Sequence, residues 1–402
     1  MFIVYFERIK VKNIYKALYI YPKLNKHSMV IVVNTRLLLK GRLEGIGWFT
    51  FQSLKRITAN HPEHQFIFVF DRPYSDEFIF SKNVTPVVIG PPARHPVLFY
   101  LWFEFQIPRV LKKYKADLFL SPDGYLSLNT SVPQLAVIHD INFAHRPQDL
   151  PRVQAFYYNY FFPKFARKAA RIATVSAYSK KDIATTYKID NSKIDVVYDG
   201  CNDNFTPVAE KVQKEMRGKY TQGFPFFLFV GALHPRKNVE GLLKAFDRFK
   251  QELGGTEKLL IVGGQMHKTG TITSTWKNMQ FKDEVIFTGR VSSEELSRIF
   301  GSALSLVFVP FFEGFGIPIL EAMNAGVPVI CSNTTSMPEV GGDAVLYADP
   351  ENTEQIAEAM HKMASDSAMR NELIQKGYQQ KMNFSWDKTA GLLWESILQT
   401  LK

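Results

Sequence analysis

From Met29 onward the chain alternates short, continuously apolar runs with longer segments whose apolar positions recur every three to four residues. The first series of runs lies at 29–33, 66–70, 86–89, 117–120, 134–138, 171–175 and 194–198. Helical spacing between them predicts helices at 46–59, 98–114, 151–168 and 179–187. The pattern restarts with runs at 226–230, 258–262, 285–287, 305–309, 327–331 and 344–347, and helices near 238–252, 292–300, 317–325 and 352–364. Strands that are apolar throughout are covered on both faces, which indicates parallel sheets joined by helical crossovers. Two such series predict an α/β chain of two doubly wound, Rossmann-like domains facing a cleft.

The same pattern sets the expected boundaries. Residues 1–28 are rich in Lys and Tyr, precede the first buried strand, and read as an extension or a misplaced start. The first domain is expected at 29–205 and the second at 206–385, with the polar stretch Asn202–Gly223 as the linker. Residues 386–402 form an amphipathic helix with no strand after it.

Charge and cysteine content narrow the setting. Net charge is +11, and the first 205 residues carry all of it, with 28 Lys and Arg against 16 Asp and Glu, while the rest is close to neutral. A basic first half suits an anionic membrane surface or a polyphosphate lipid, and no nucleic-acid-binding motif accompanies it. No apolar run of about 20 residues is present, and the two cysteines, Cys201 and Cys331, show no metal spacing. The expectation is a cytoplasmic protein with buried thiols, its basic half being either a solvated surface or a face peripheral at the inner side of a membrane. Two segments mix aromatic and basic residues, 97–115 and Phe156–Arg171. Such composition can dock on an anionic membrane, but the reading favoured here is a core-facing helix with a basic outer face.

The most informative string is Phe311–Glu321, FFEGFGIPILE. Glu313 stands in a glycine-rich loop after an apolar run. Pro318 suits the first turn of a helix, and Glu321 falls early in that helix. Two carboxylates flanking a helix N-terminus that attracts phosphate can hold both ends of a nucleotide-sugar. Upstream, the run FPFFLFVGALHPRKN places Arg236 and Lys237 at the carboxyl end of the second domain's first strand, where they can neutralise a departing diphosphate. Cations at a helix start are disfavoured unless an anion sits there too. No Asp-x-Asp and no His/Cys/Asp cluster with metal spacing occurs, so the expectation is metal-free chemistry with no cofactor, Arg236, Lys237 and the helix N-terminus after Gly316 standing in for a divalent ion.

Weaker signals point at the same cleft. Gly45 and Gly47 in LEGIGWFT precede a helix and allow close approach of an anion or sugar. His139 ends the strand QLAVIHD at its carboxyl edge. The loop Gly289, Arg290, Val291 could pass against a nucleobase, and Ser292 or Ser293 would cap the helix after it. The string SNTTSMPEVGGDA, with Glu339, reads as structural, shaping the loop beside the nucleotide.

Taken together, GALHPRKN, FFEGFGIPILEAM, SMPEVGGDA, VIHD, VSAYSKKDI and the FSW before the last helix resemble the retaining glycosyltransferase family 4 of the GT-B fold, especially bacterial mannosyltransferase-type members that build cell-surface polysaccharides. The resemblance spans roughly residues 29–400. It implies that Glu313 contacts donor-sugar hydroxyls, that Glu321 holds the ribose, and that Arg236 and Lys237 bind the diphosphate. The backbone of Gly314, Phe315, Gly316 and Ile317 would line sugar and phosphates, with His139 near the sugar and 289–291 at the base. The terminal helix would cross back onto the first, acceptor-side domain. The donor would be GDP-mannose or a UDP-hexose, and the acceptor a glycan or lipid-linked oligosaccharide. Phe311, Phe312 and Asn324 depart from the family pattern and would alter pocket shape. A GT-B nucleotide-sugar epimerase and a non-catalytic sugar-binding scaffold are the alternatives.

Overall fold

The computed structural model describes residues 28–264 and 270–402. The expected extension therefore lies, but for its last residue, outside the described residues. Among the described residues thirteen strands form two sheets. The first contains β1 (Val30–Asn34), β2 (Gln65–Phe70), β3 (Val84–Val88), β4 (Leu118–Ser121), β5 (Gln134–Val137), β6 (Arg171–Thr174) and β7 (Ile194–Val196). Its order is β3-β2-β1-β4-β5-β6-β7. The second contains β8 (Phe226–Val230), β9 (Lys258–Val262), β10 (Val285–Gly289), β11 (Ser305–Phe308), β12 (Val329–Ser332) and β13 (Val345–Ala348), in the order β10-β9-β8-β11-β12-β13. All pairings are parallel. Each sheet reverses its winding once, between β1 and β4 and between β8 and β11, and ligands of such sheets bind outside the carboxyl ends at that reversal.

The central strands are apolar on both faces because helices cover both. In the first domain Val32, Phe119 and Ala136 face Trp102, Phe103 and Phe165 on one side, while Ile31, Leu120 and Val137 join Phe49, Leu54 and Ile57 on the other. The second layer is completed from the far end of the chain. The helix Trp386–Thr400 lies on Gly45–Asn60, with Arg56 paired to Asp387 at 2.6 Å and Trp394 stacked on His61 at 3.7 Å between ring centres. The expected return of the terminal helix to the first domain is thus observed.

Three readings need correction. The stretch Asn202–Gly223 is not all linker, since Glu210–Thr221 is a helix of the second domain that buries Met216 and pairs Glu215 with Arg298. Its apolar face is too thin to stand out in the sequence. Gly45 and Gly47 lie inside the first turn of Gly45–Asn60, not in a loop before it, and a Cβ at 47 would press on Leu37 O and Leu43 at 3.2 Å. The segments 97–115 and 156–171 are amphipathic: their inner faces are core, but their outer faces expose aromatic rings as well as cations. Of the cysteines, Cys331 is buried and Cys201 half-buried. No helix among the described residues is long and apolar enough to cross a membrane.

Candidate active site in the interdomain cleft

After β8 the chain makes a short 3-10 turn, Pro235–Lys237, which puts Arg236 and Lys237 at the winding reversal of the second sheet. The imidazole of His234 accepts the N–H of Arg236 at 3.3 Å and caps this turn. Asn238, at φ 56°, fixes its exit: its amide donates to Val309 O at 3.0 Å and Pro350 O at 2.7 Å, and its oxygen caps Gly241 N. Glu313, on the loop after β11, forms ion pairs with both Arg236 and Lys237. The Arg236 guanidinium also donates to Phe312 O at 3.1 Å.

Two cations share the Glu313 carboxylate in this largely buried cluster, and Asp140 acts on both without an ion pair to either. Burial alone would lower the Arg236 pKa, but Glu313 and then Asp140 outweigh it and raise it. For Lys237 burial wins: its ammonium is pushed down, with Arg236 adding to that against the pull of Glu313. Lys237 is thus the cation whose charge its surroundings support less. An anion placed beside Lys237 would relieve the imbalance.

The loop continues through Gly314 and Gly316 into the helix Ile317–Asn324. Gly316 sits at φ 110°, and a Cβ there would lie 2.8 Å from Met337. Gly314 abuts the first domain, where a Cβ would overlap the carbonyl oxygen of His139. Its own carbonyl accepts the Ser176 hydroxyl at 2.7 Å, while Ser336 donates to Glu313 O and Phe315 O. Glu321, in that helix, is 8% exposed, and burial lifts its pKa to about 8.

On the facing side, His139 follows β5. Its Nε2 lies 2.9 Å from Pro122 O, and a carbonyl can only accept, so Nε2 carries the proton and Nδ1 is left as an acceptor. Burial lowers its pKa, against the pull of Pro122 O and Asp140, and the ring stays neutral near pH 7. Phe49 packs edge-on against it at 5.0 Å. The Pro122 loop is itself fixed by a buried pair that the sequence did not reveal: Arg36 Nε donates to Asp123 at 2.6 Å, and the Asn34 amide donates to the same carboxylate at 2.7 Å. Both partners come from the winding reversal of the first sheet, β1 and β4.

The structure therefore brings Arg236, Lys237, Glu313, Gly314 and His139 together. Arg290 does not join them; it pairs with Glu44 of the first domain, so Gly289–Val291 bridges the cleft. Ser292 caps the following helix through Glu295 N, as expected. Glu339, read as a loop-shaping residue, also bridges: its carboxylate accepts Ala177 N at 2.8 Å, Tyr178 N at 3.2 Å and the Tyr198 hydroxyl at 2.7 Å. Phe311 lies under Arg146 at 4.7 Å, and Phe312 stacks on His145 at 5.4 Å, so these departures from the family pattern are domain contacts. Away from the cleft, the described residues contain one group with ligand atoms close enough for a metal ion, His61, Glu63 and His64. There His64 Nδ1 accepts Met29 N at 3.2 Å and His61 carries Trp394, so both rings already serve packing.

Comparison with known proteins matches both halves. Residues 45–205 fit the model described as Glycosyltransferase Family 4, and residues 212–380 the model described as Glycosyl transferases group 1. The chain is 26% identical over 361 residues to O-antigen chain mannosyltransferase B of Escherichia coli, covering 87% of this chain and 94% of that one. It is 28% identical over 284 residues to O-antigen chain mannosyltransferase RfbU of Salmonella typhimurium, covering 69% and 75%. Among solved structures, Anabaena Alr3699/HepE in complex with UDP and glucose superposes with a TM-score of 0.70 at 14% identity, over 92% of this chain and 100% of that one.

Proposed function

Since the chain belongs to the family 4 glycosyltransferases and has the GT-B fold, we propose that it moves a hexose, mannose favoured, from a nucleotide-sugar to a glycan or lipid-linked acceptor in cell-surface polysaccharide synthesis, with retention of configuration and without a metal ion. The mannosyltransferase names of its relatives support the sugar and the pathway class. The single observation that carries the chemistry is the Arg236–Lys237–Glu313 cluster, two largely buried cations that share one ion-paired carboxylate at the carboxyl edge of the sheet.

In this reading the diphosphate settles against Lys237 and Arg236 and takes over part of the ion pairing that Glu313 supplies in its absence. Glu313 then turns its acceptor oxygens to hydroxyls of the sugar. The N-terminus of Ile317–Asn324 adds backbone N–H groups to the phosphates. Glu321 holds the ribose, the loop Gly289–Val291 meets the base, and the Nδ1 of His139 accepts from a sugar hydroxyl. Among the described residues no side chain is assigned as a covalent nucleophile in this reading. The leaving diphosphate, held by two cations, takes the acceptor's proton on the face it departs from. The charge on that oxygen is stabilised most when the bond is nearly broken, which is where fixed cations lower a barrier.

The test is donor turnover. Arg236→Ala and Lys237→Ala should each lower it by about 100-fold, or about 3 kcal/mol, the scale of losing one preorganised oxyanion donor. Unchanged turnover in both would remove the diphosphate assignment. Activity should persist in excess chelator, and a loss restored by Mg²⁺ would refute the metal-free step. Nucleoside diphosphate released in step with a glycosylated acceptor separates transfer from epimerisation and from plain sugar binding.

A further inference from the structure

Most of the large apolar side chains that stand exposed on the described surface gather in one place. On the segment Pro96–Tyr114 they include Val97, Tyr100 and Phe105; on the helix Arg152–Lys168 they are Val153, Phe156 and Tyr160. Val97, Val153 and Phe156 are 60%, 62% and 71% exposed. The second set has the 3–4 spacing of one helix face. The two rows touch: Tyr100 lies 6.0 Å from Phe161, Phe161 lies 5.0 Å from Tyr160, and Tyr160 stacks on Phe156 at 5.9 Å. The Lys164 ammonium rests 3.4 Å from the centre of the Tyr160 ring.

The charge around this surface has one sign. Residues 94–115 and 152–168 contain nine Lys and Arg and one acidic residue, Glu104. Glu104 is buried, where its carboxylate accepts Leu128 N at 2.9 Å and acts on Lys168, so eight cations remain with no acidic counterpart in these segments. Aromatic rings flanked by basic side chains, with no exposed carboxylate among them, match an anionic bilayer: rings enter the headgroup boundary while Lys and Arg meet lipid phosphates. A polar protein partner would not need the rings, and a neutral apolar one would not need the cations.

Position gives the surface a purpose. Both segments follow the carboxyl ends of strands, β3 and β5, and the connection from β5 carries His139 and Arg146. The exposed rings occupy the first halves of these helices, at the edge of the sheet where the cleft opens. We propose that this face of the first domain docks on anionic lipid and holds the cleft mouth at the membrane surface, where a lipid-linked acceptor presents its sugar. The choice of acceptor rests on the function proposed above; the docking itself does not.

The experiment is vesicle flotation of the full chain, without donor, on 3:1 phosphatidylethanolamine–phosphatidylglycerol and on pure phosphatidylcholine. Binding to the anionic vesicles should be at least tenfold stronger and should weaken as salt rises from 50 to 300 mM. The double variant Phe156→Ser/Tyr160→Ser should bind both vesicles at least tenfold more weakly, and Lys164→Glu/Arg167→Glu should lose the anionic preference. Both should turn over a water-soluble acceptor at the parent rate, which shows that they fold. Equal binding to the two vesicles by the parent chain, or variants that float like it, would overturn the proposal. So would a concentration-dependent dimer abolished by Phe156→Ser/Tyr160→Ser while flotation stays unchanged. Failure of donor turnover with flotation intact would strike the proposed activity and leave the docking surface standing.

Discussion

Glu321 offers a test in which stability and function move in opposite directions. Its carboxylate is buried in the helix Ile317–Asn324 and makes no hydrogen bond or ion pair among the described residues. Burial raises its pKa from 4.5 to about 8. Between those values the folded chain holds a proton that the unfolded chain has lost, so stability falls as pH rises through the window, by about 1.4 kcal/mol per unit. Glu321→Gln keeps the shape of the protonated side chain and removes the titration. The substituted protein should be the more stable by about 1 kcal/mol at pH 5 and by up to about 4 kcal/mol at pH 8, the larger figure being on the order of 10 °C in Tm for a domain of this size. Local relaxation would reduce both figures without changing their order. The assay is thermal unfolding of both proteins without ligand at several pH values, paired with donor affinity. Donor affinity of the parent should rise with pH, because ribose hydroxyls favour the ionised acceptor, and that rise should vanish in the variant. A stability gap that does not depend on pH, or a variant less stable at pH 8, would refute the reasoning.

Gly314→Ala should force the two domains apart, since its methyl meets the His139 carbonyl; transfer should fall more than tenfold while Tm changes little, and small-angle scattering should report a wider cleft. Glu339→Ala leaves the N–H groups of Ala177 and Tyr178 without their partner; the loss is that of a helix cap, about 1 kcal/mol, and should appear as reduced kcat/KM that Glu339→Gln partly restores. In the Glu321→Gln background, where that residue no longer titrates, the acid limb of the kcat/KM profile should lie below pH 6.5, because burial lowers the His139 pKa, and should be absent once His139→Asn is added. Trp394→Ala removes the ring stacked on His61 and should cost roughly 2 kcal/mol of stability with donor affinity unchanged.

What the sequence disclosed follows from how local each signal is. Continuous apolar runs such as Phe226–Val230 are complete statements about a buried strand, and all thirteen strands were legible in this way. The Glu313-to-Glu321 spacing spans one loop and one turn of helix, so its geometry could be read directly. Arg36 and Asp123 could not be paired in advance, because nothing joins positions 87 residues apart until β1 and β4 lie side by side. Glu339 and the helix at Ala177 are 162 residues apart in different domains. The helix Glu210–Thr221 escaped because Val212 and Met216 are nearly all of its apolar face, and it is held largely by polar partners such as Arg298. The outward rings at Phe156 and Tyr160 were hidden by the inward ones on the same helix, Tyr157, Phe162 and Phe165.

The return of the last helix to the first domain governs the order in which the molecule can be made. Ribosomes deliver the chain from its amino end, and domains generally fold as units as they emerge. The first domain lacks part of one face until residues 386–400 arrive, some 190 residues after its last strand. Until then Arg56 and His61 wait beside a vacant berth. The arrival of this helix therefore fastens a part of the protein made long before it, and a chain cut ahead of residue 386 leaves a finished second domain attached to an unfinished first.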